Sequence, residues 1–127
     1  AAAINNIQMS ADGRVMWSYA TDETLAAVGA TPDLDDNIAG MLRDIEGVQV
    51  GAFFKNYGNP AVTRVSMRSN TPYDVAAVCI RLGGGGHARA AGATIHKPLA
   101  EAISLVIAEI EREVQETDQH TLDASNV

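Results

Sequence analysis

Two stretches of this chain carry residue types that could do chemistry: Arg64-Val65-Ser66-Met67-Arg68-Ser69 and Gly83-Gly84-Gly85-Gly86-His87-Ala88-Arg89-Ala90-Ala91-Gly92. Four consecutive glycines have no Cβ and wide φ/ψ freedom. A ligand can approach such a backbone closely, and its N–H groups can point at an anion. A helix cap needs only one glycine, and a flexible linker has polar flanks. This run lies between two apolar segments, 75–82 and 90–95. His87 follows at once and can donate to a phosphate oxygen or a base edge. In the other stretch, strand alternation puts Val62, Arg64, Ser66 and Arg68 on one face and Thr63, Val65, Met67 and Ser69 on the other. Arginines flanking a serine on one face suit forked contacts to one anion or two adjacent ones. A solvent-facing edge strand is the competing use of such side chains. The candidate site therefore takes N–H donors from Gly84, Gly85 and Gly86, and fixed charge from Arg64 and Arg68. It takes hydroxyls from Ser66 and Ser69, and a ring donor from His87. A Cβ at Gly85 or Gly86 is expected to block a phosphate while sparing the fold.

The same residues carry a family resemblance. Gly83–His87 followed by Ala90-Ala91-Gly92 resembles the GGGGHxxAAG signature of the DHH phosphoesterase superfamily, in its DHH-associated C-terminal domain. Arg64-Val65-Ser66-Met67-Arg68-Ser69 is similar to that family's R-x-S-x-R-S strand, and the two motifs come in the family's order. The likeness runs from about Asp12 to Val114 and is strongest to the nano-RNases that also act as 3′-phosphoadenosine 5′-phosphate phosphatases. Cyclic-dinucleotide phosphodiesterases of the superfamily share the pattern. The resemblance implies an α/β substrate-binding domain that grips a nucleotide or short oligonucleotide phosphate. It also implies a separate N-terminal catalytic domain that carries Mn²⁺ on a consecutive Asp-His-His and neighbouring ligands. This chain has no Asp-His-His, and its three histidines are isolated. Neither a catalytic residue nor a metal ligand is therefore assigned here, and no cofactor is expected on this chain.

Composition fits such a domain. The chain has 127 residues, 46% of them hydrophobic and 20% charged, with a net charge of −7. That length supports one domain with a core of its own. Its charge argues against a general nucleic-acid coat, but the distribution matters more. Between Gly47 and Ala100 lie six basic residues (Lys55, Arg64, Arg68, Arg81, Arg89 and Lys97) and one acid, Asp74, a local charge of +5. A positive patch on an acidic protein suits a small anionic ligand. No apolar run reaches the ~18 residues of a membrane span, and no signal peptide is visible, so a cytoplasmic protein without membrane partners is expected. The single cysteine, Cys79, lies in an apolar helical stretch and reads as a buried free thiol.

The elements that must position the site follow from periodicity. Strands at 4–9 and 14–19 flank Asp12-Gly13, a hairpin signal. Trp17 and Tyr19 share a face of the second strand, for packing against a helix. Thr21 caps a short helix that Gly29 ends. A second helix to about Glu46 buries Leu34, Ile38, Met41, Leu42 and Ile45, with Asp33, Asp35 and Asp36 at its favourable N-terminus. Strands at 48–56 and 61–69 form a hairpin. Thr71-Pro72-Tyr73-Asp74 starts a helix with Thr as cap, Pro at its first position and Asp at its third, and the glycines follow it. A brief strand at 93–96 precedes a helix from Pro98 to about Gln115. That helix buries Leu99, Ile103, Val106, Ile107, Ile110 and Val114. The sum is a single α/β domain, 1–116, with a mixed sheet of about five strands and helices packed on it, then a polar tail, 117–127.

Three readings remain. The first is the substrate-binding domain of a phosphoesterase acting on short oligoribonucleotides or nucleoside phosphates, with a fragment of a cyclic-dinucleotide phosphodiesterase as its alternative. The second is a free-standing nucleic-acid or nucleotide-binding module. The third is a structural domain, including a homodimerising one, whose glycines serve packing.

Overall fold

The computed structural model describes residues 6–27, 29, 34–56 and 58–126. The start of the first predicted strand and the loop at 31–33 lie outside them. The elements run β1 (Gln8–Met9), β2 (Val15–Ala20), α1 (Asp22–Ala27), α2 (Leu34–Arg43), β3 (Val50–Asn56) and β4 (Thr63–Ser69). Then come α3 (Val75–Arg81), β5 (Gly85–His87), β6 (Ala90–Ile95) and α4 (Leu99–Ser125). They build one six-stranded sheet in the order β1-β2-β3-β4-β6-β5. Among the described residues only β2 and β3 pair in parallel. A parallel pair needs a crossover, and α1 and α2 supply it.

Alternation divides the core into two layers. Val15, Val50, Ala52, Phe54, Val65, Met67, Ala93 and Ile95 point to one face and meet α3 and α4 through Val78, Ala102, Val106, Ile110 and Val114. Trp17 and Tyr19 pack on this layer, as their shared face suggested. On the other face Met16, Ala20 and Phe53 meet Leu25 of α1 and Ile38 and Leu42 of α2. Gly51 lets α2 lie close: a Cβ there would stand 2.7 Å from the Arg43 backbone nitrogen and collide with the Ala39 carbonyl.

Several expectations are corrected. The glycine motif, expected to hold a phosphate as a loop, is extended over Gly85–His87, which forms the edge strand β5 of the mixed sheet expected to have about five strands. The strand after it begins at Ala90 rather than Ala93, because the small residues of the run pair directly with β5 and β4. The helix α2 ends at Arg43, and Met41 and Ile45 are exposed, because α2 contacts the sheet only along its Ile38–Leu42 stripe. The cap of α3 is Asp74, whose carboxylate accepts the Ala77 N–H at 3.1 Å, and not Thr71. The Ser69 hydroxyl donates to the Tyr73 carbonyl at 2.6 Å, which holds the chain just before that cap.

The last helix also runs past its expected end, through 117–125. Its extension is clipped down by charge. The Asp118 carboxylate accepts from the Arg14 guanidinium at 2.6 Å and from the Tyr73 hydroxyl at 2.6 Å. Arg14 and then Tyr73 hold the Asp118 carboxyl below the usual aspartate range, and that hydrogen bond raises Arg14 in turn. Burial, with the Asp118 contact second, raises the Tyr73 phenol. No helix among the described residues is long and apolar enough to cross a membrane.

Candidate anion site on the uncovered half of the sheet

Cross-strand register defines the site. Arg64 stands opposite Lys55 on β3 and Thr94 on β6; Ser66 stands opposite Phe53 and Gly92; Arg68 stands opposite Gly51 and Ala90. One strand further out, Gly85 faces Gly92 and His87 faces Ala90. Directly opposed residues share a face. So Arg64, Ser66, Arg68, Gly92, Gly85 and His87 all lie on the side of the sheet that carries α2. That helix covers β3 and the near side of β4 through Ile38, Ala39 and Leu42. Beyond it the face is open among the described residues, and Gly85, Ala90 and Gly92 are only partly buried.

The middle row, Ser66–Gly92–Gly85, has almost no side chain and forms a floor. Arg64 and Arg68 stand on either side of it, about 13 Å apart at Cα by strand rise. His87 lies in the Arg68 row, two strands away, about 10 Å by strand spacing. The Arg64 guanidinium bends in over the floor. Its Nη1 donates to Thr94 Oγ1 at 3.4 Å, and its Nη2 occupies the space where a Gly92 Cβ would be, 2.7 Å from that point.

The six basic residues between Gly47 and Ala100 are sorted by the fold. Lys55 pairs with Asp35 at 3.0 Å, and Arg81 pairs with Glu113 at 2.9 Å and Glu109 at 3.7 Å. Arg89 caps backbone instead, donating to the carbonyls of Tyr73 and Asn70. Lys97 is exposed past the end of β6. The two face arginines are the loosely held ones. Among the described residues Arg64 has no acidic partner within 4 Å, and Arg68 has Asp36 at 3.9 Å. The Nε of Arg68 is buried with no hydrogen-bond partner. Leaving such a donor unpaired costs roughly 1–3 kcal/mol, which an anion's oxygen would offset.

The sequence-predicted residues therefore separate. Arg64, Ser66, Arg68, Gly85 and His87 converge on one face. Ser69 points the other way, and its hydroxyl is spent on the carbonyls of Tyr73 and Ala88. Gly84 and Gly86 are packing positions. A Cβ at Gly84 would meet Ala93 Cα at 2.8 Å and the Gly92 carbonyl, and one at Gly86 would meet Ala91 Cα at 2.6 Å. Gly86 also sits at φ 142°, where side chains are strained. Around Gly85 nothing lies within 4 Å of a Cβ. Gly92, Thr94 and Asp36 join the site through register and helix placement. Of these, only Gly92 had a signal in the sequence, as the last residue of the glycine motif. Among the described residues no three His, Cys, Asp or Glu side chains gather to hold a metal ion.

The class of protein the fold defines is a single α/β domain with a cationic, glycine-floored sheet face. Its family is given by the sequence: residues 13–116 match the DHHA1 domain, and the chain belongs to that family. The bifunctional oligoribonuclease and PAP phosphatase NrnA of Thermus thermophilus is 39% identical over 67 residues, which is 53% of this chain and 20% of that protein. The crystal structure of an exopolyphosphatase-related protein from Bacteroides fragilis superposes with a TM-score of 0.76 at 17% identity, over 87% of this chain and 32% of that one. The pGpG-specific phosphodiesterase PggH of Vibrio cholerae has a TM-score of 0.57 at 12% identity, over 88% of this chain and 36% of that one. The C-Ala domain of alanyl-tRNA synthetase from Aquifex aeolicus has a TM-score of 0.56 at 18% identity, over 81% of this chain and 97% of that one. These solved structures share the fold. The chain spans a fifth to about a third of the length of NrnA, PggH and the exopolyphosphatase-related protein.

Proposed function

We propose that this chain is the substrate-binding domain of a metal-dependent phosphoesterase acting on short oligoribonucleotides or nucleoside phosphates. It grips the phosphate between Arg64 and Arg68 over the Ser66–Gly92–Gly85 floor, with His87 at the outer edge. The observation that carries this reading is the pair of loosely paired arginines beside the part of the α2 face that no helix covers among the described residues. A planar guanidinium offers two parallel donors to a phosphate, and a floor without side chains lets the phosphate reach them. Family membership and the NrnA relative support the same ligand class. On this reading a separate catalytic domain, expected to carry Mn²⁺, would supply the hydrolytic chemistry, and this domain contributes binding and orientation. Holding the scissile bond in place is itself a large share of such catalysis.

Titration with adenosine 5′-monophosphate at two salt concentrations tests the reading. Binding is expected, weaker at high salt, and at least tenfold weaker in Arg64→Ala, the loss of one charge-assisted contact of roughly 1.5–3 kcal/mol. No binding at millimolar ligand refutes it. Incubation with Mn²⁺ and the dinucleotide pApA is expected to release no mononucleotide. Turnover that purifies with the chain and stops on chelation would move the chemistry into this domain.

A further inference from the structure

We infer that Asp36 is a displaceable counter-ion of Arg68, competing with the ligand's phosphate and so setting its affinity. The inference rests on the anion-site reading above. The first turn of α2 carries two adjacent acids that the fold treats differently. Asp35 is pinned: its carboxylate meets Lys55 Nζ at 3.0 Å, and its side chain is only 14% exposed. That pair fixes the first turn of α2 beside the β4 face. Asp36 is the next residue, 65% exposed, with its carboxylate 3.9 Å from Arg68 Nη2. That distance is too long for a hydrogen bond, so charge alone holds the contact.

Arg68 is accordingly half satisfied. One end of its guanidinium faces a solvated carboxylate, and its Nε is buried without a partner. The only acid facing it among the described residues is Asp36. An incoming phosphate oxygen can take the place of that carboxylate. Asp36 then rotates into solvent, which its exposure permits, while Asp35 keeps α2 in place through Lys55. In the free protein Asp36 holds Arg68 at the face. In the complex it is a nearby negative charge that the ligand has to overcome.

Asp36→Asn keeps the size of the side chain and removes its charge. An exposed pair of this kind is worth a few tenths to about one kcal/mol, so the variant should bind adenosine 5′-monophosphate and inorganic pyrophosphate roughly two- to fivefold more tightly. Melting curves of Asp36→Asn and Arg68→Ala close to wild type would show that both fold. In an Arg68→Ala background the added Asp36→Asn change should give no gain, or a much smaller one, because the competed cation is gone. Unchanged affinity for both probes in Asp36→Asn overturns the inference while leaving the site intact. Weaker binding also overturns it, since Asp36 would then be a ligand contact. A gain with adenosine 5′-monophosphate but not pyrophosphate overturns it too, by pointing to the nucleoside. If neither probe binds the wild type or Asp36→Asn, the anion site itself fails and the inference falls with it.

Discussion

Gly85 and Gly86 are neighbours in one motif, yet an alanine at each should have opposite consequences. At Gly85 a methyl group would enter open space on the α2 side of the sheet, with no atom within 4 Å, and the backbone needs no positive φ. Folding should tolerate it. Reduced freedom in the unfolded chain can even stabilise by roughly 0.4–1 kcal/mol. The same methyl would stand on the floor between Ser66, Gly92 and the incoming phosphate, and should weaken adenosine 5′-monophosphate binding by tenfold or more. At Gly86 the φ of 142° already costs a side chain roughly 1–3 kcal/mol. A Cβ would also stand 2.6 Å from Ala91 Cα and 2.7 Å from the Ala90 carbonyl, so β5 must move off β6. A loss of about 2–4 kcal/mol is expected, which for a domain of this size lowers Tm by roughly 6–16 °C. Differential scanning fluorimetry and calorimetric titration on the two variants give both numbers. A Gly85→Ala variant that melts well below wild type, or binds as tightly, refutes the floor assignment. A Gly86→Ala variant with a wild-type melting curve refutes the packing role.

Arg68→Ala should lose at least tenfold in nucleotide affinity, whereas Arg81→Ala, whose partners are Glu109 and Glu113 across α3 and α4, should bind normally; equal losses in calorimetric titration would leave only a diffuse charge effect. The Asp118 carboxyl is depressed in the folded state, so its stabilisation is complete above the unfolded aspartate value near 3.8 and is lost as pH falls through the lower folded value. Urea unfolding followed downward from pH 5 should therefore show a steeper acid loss in wild type than in Asp118→Asn, and parallel curves would deny the clip its role. Burial pushes the Cys79 thiol up to about 12, so the folded protein should resist a thiol reagent at pH 8 and react at once in denaturant. Immediate labelling of the native protein would contradict that burial.

Much of the fold was legible because it rests on local chemistry. The 3.6-residue spacing of Leu99, Ile103, Val106, Ile110 and Val114, the Asp12-Gly13 turn and the alternation along 62–69 each need only near neighbours to act. The family was legible for a related reason: glycines, arginines and a histidine in two short motifs are unusual enough to mark it. What each motif residue does was decided by contacts between distant segments. Gly84, Gly85 and Gly86 are identical in sequence, and only their pairing with β6 makes one a floor and two of them packing. Ser66 and Ser69 both lie in the strand motif, but an odd separation on a strand sends them to opposite faces, and the Tyr73 and Ala88 carbonyls claim Ser69. Residues 117–125 look like a frayed tail when only their polarity is counted. Their helix is held by Arg14, more than a hundred residues earlier, through Asp118. Of the six cations in the basic stretch, tertiary pairing occupies Lys55, Arg81 and Arg89, Lys97 lies exposed beyond β6, and Arg64 and Arg68 remain at the candidate site, because local charge depends on which acids the fold brings near.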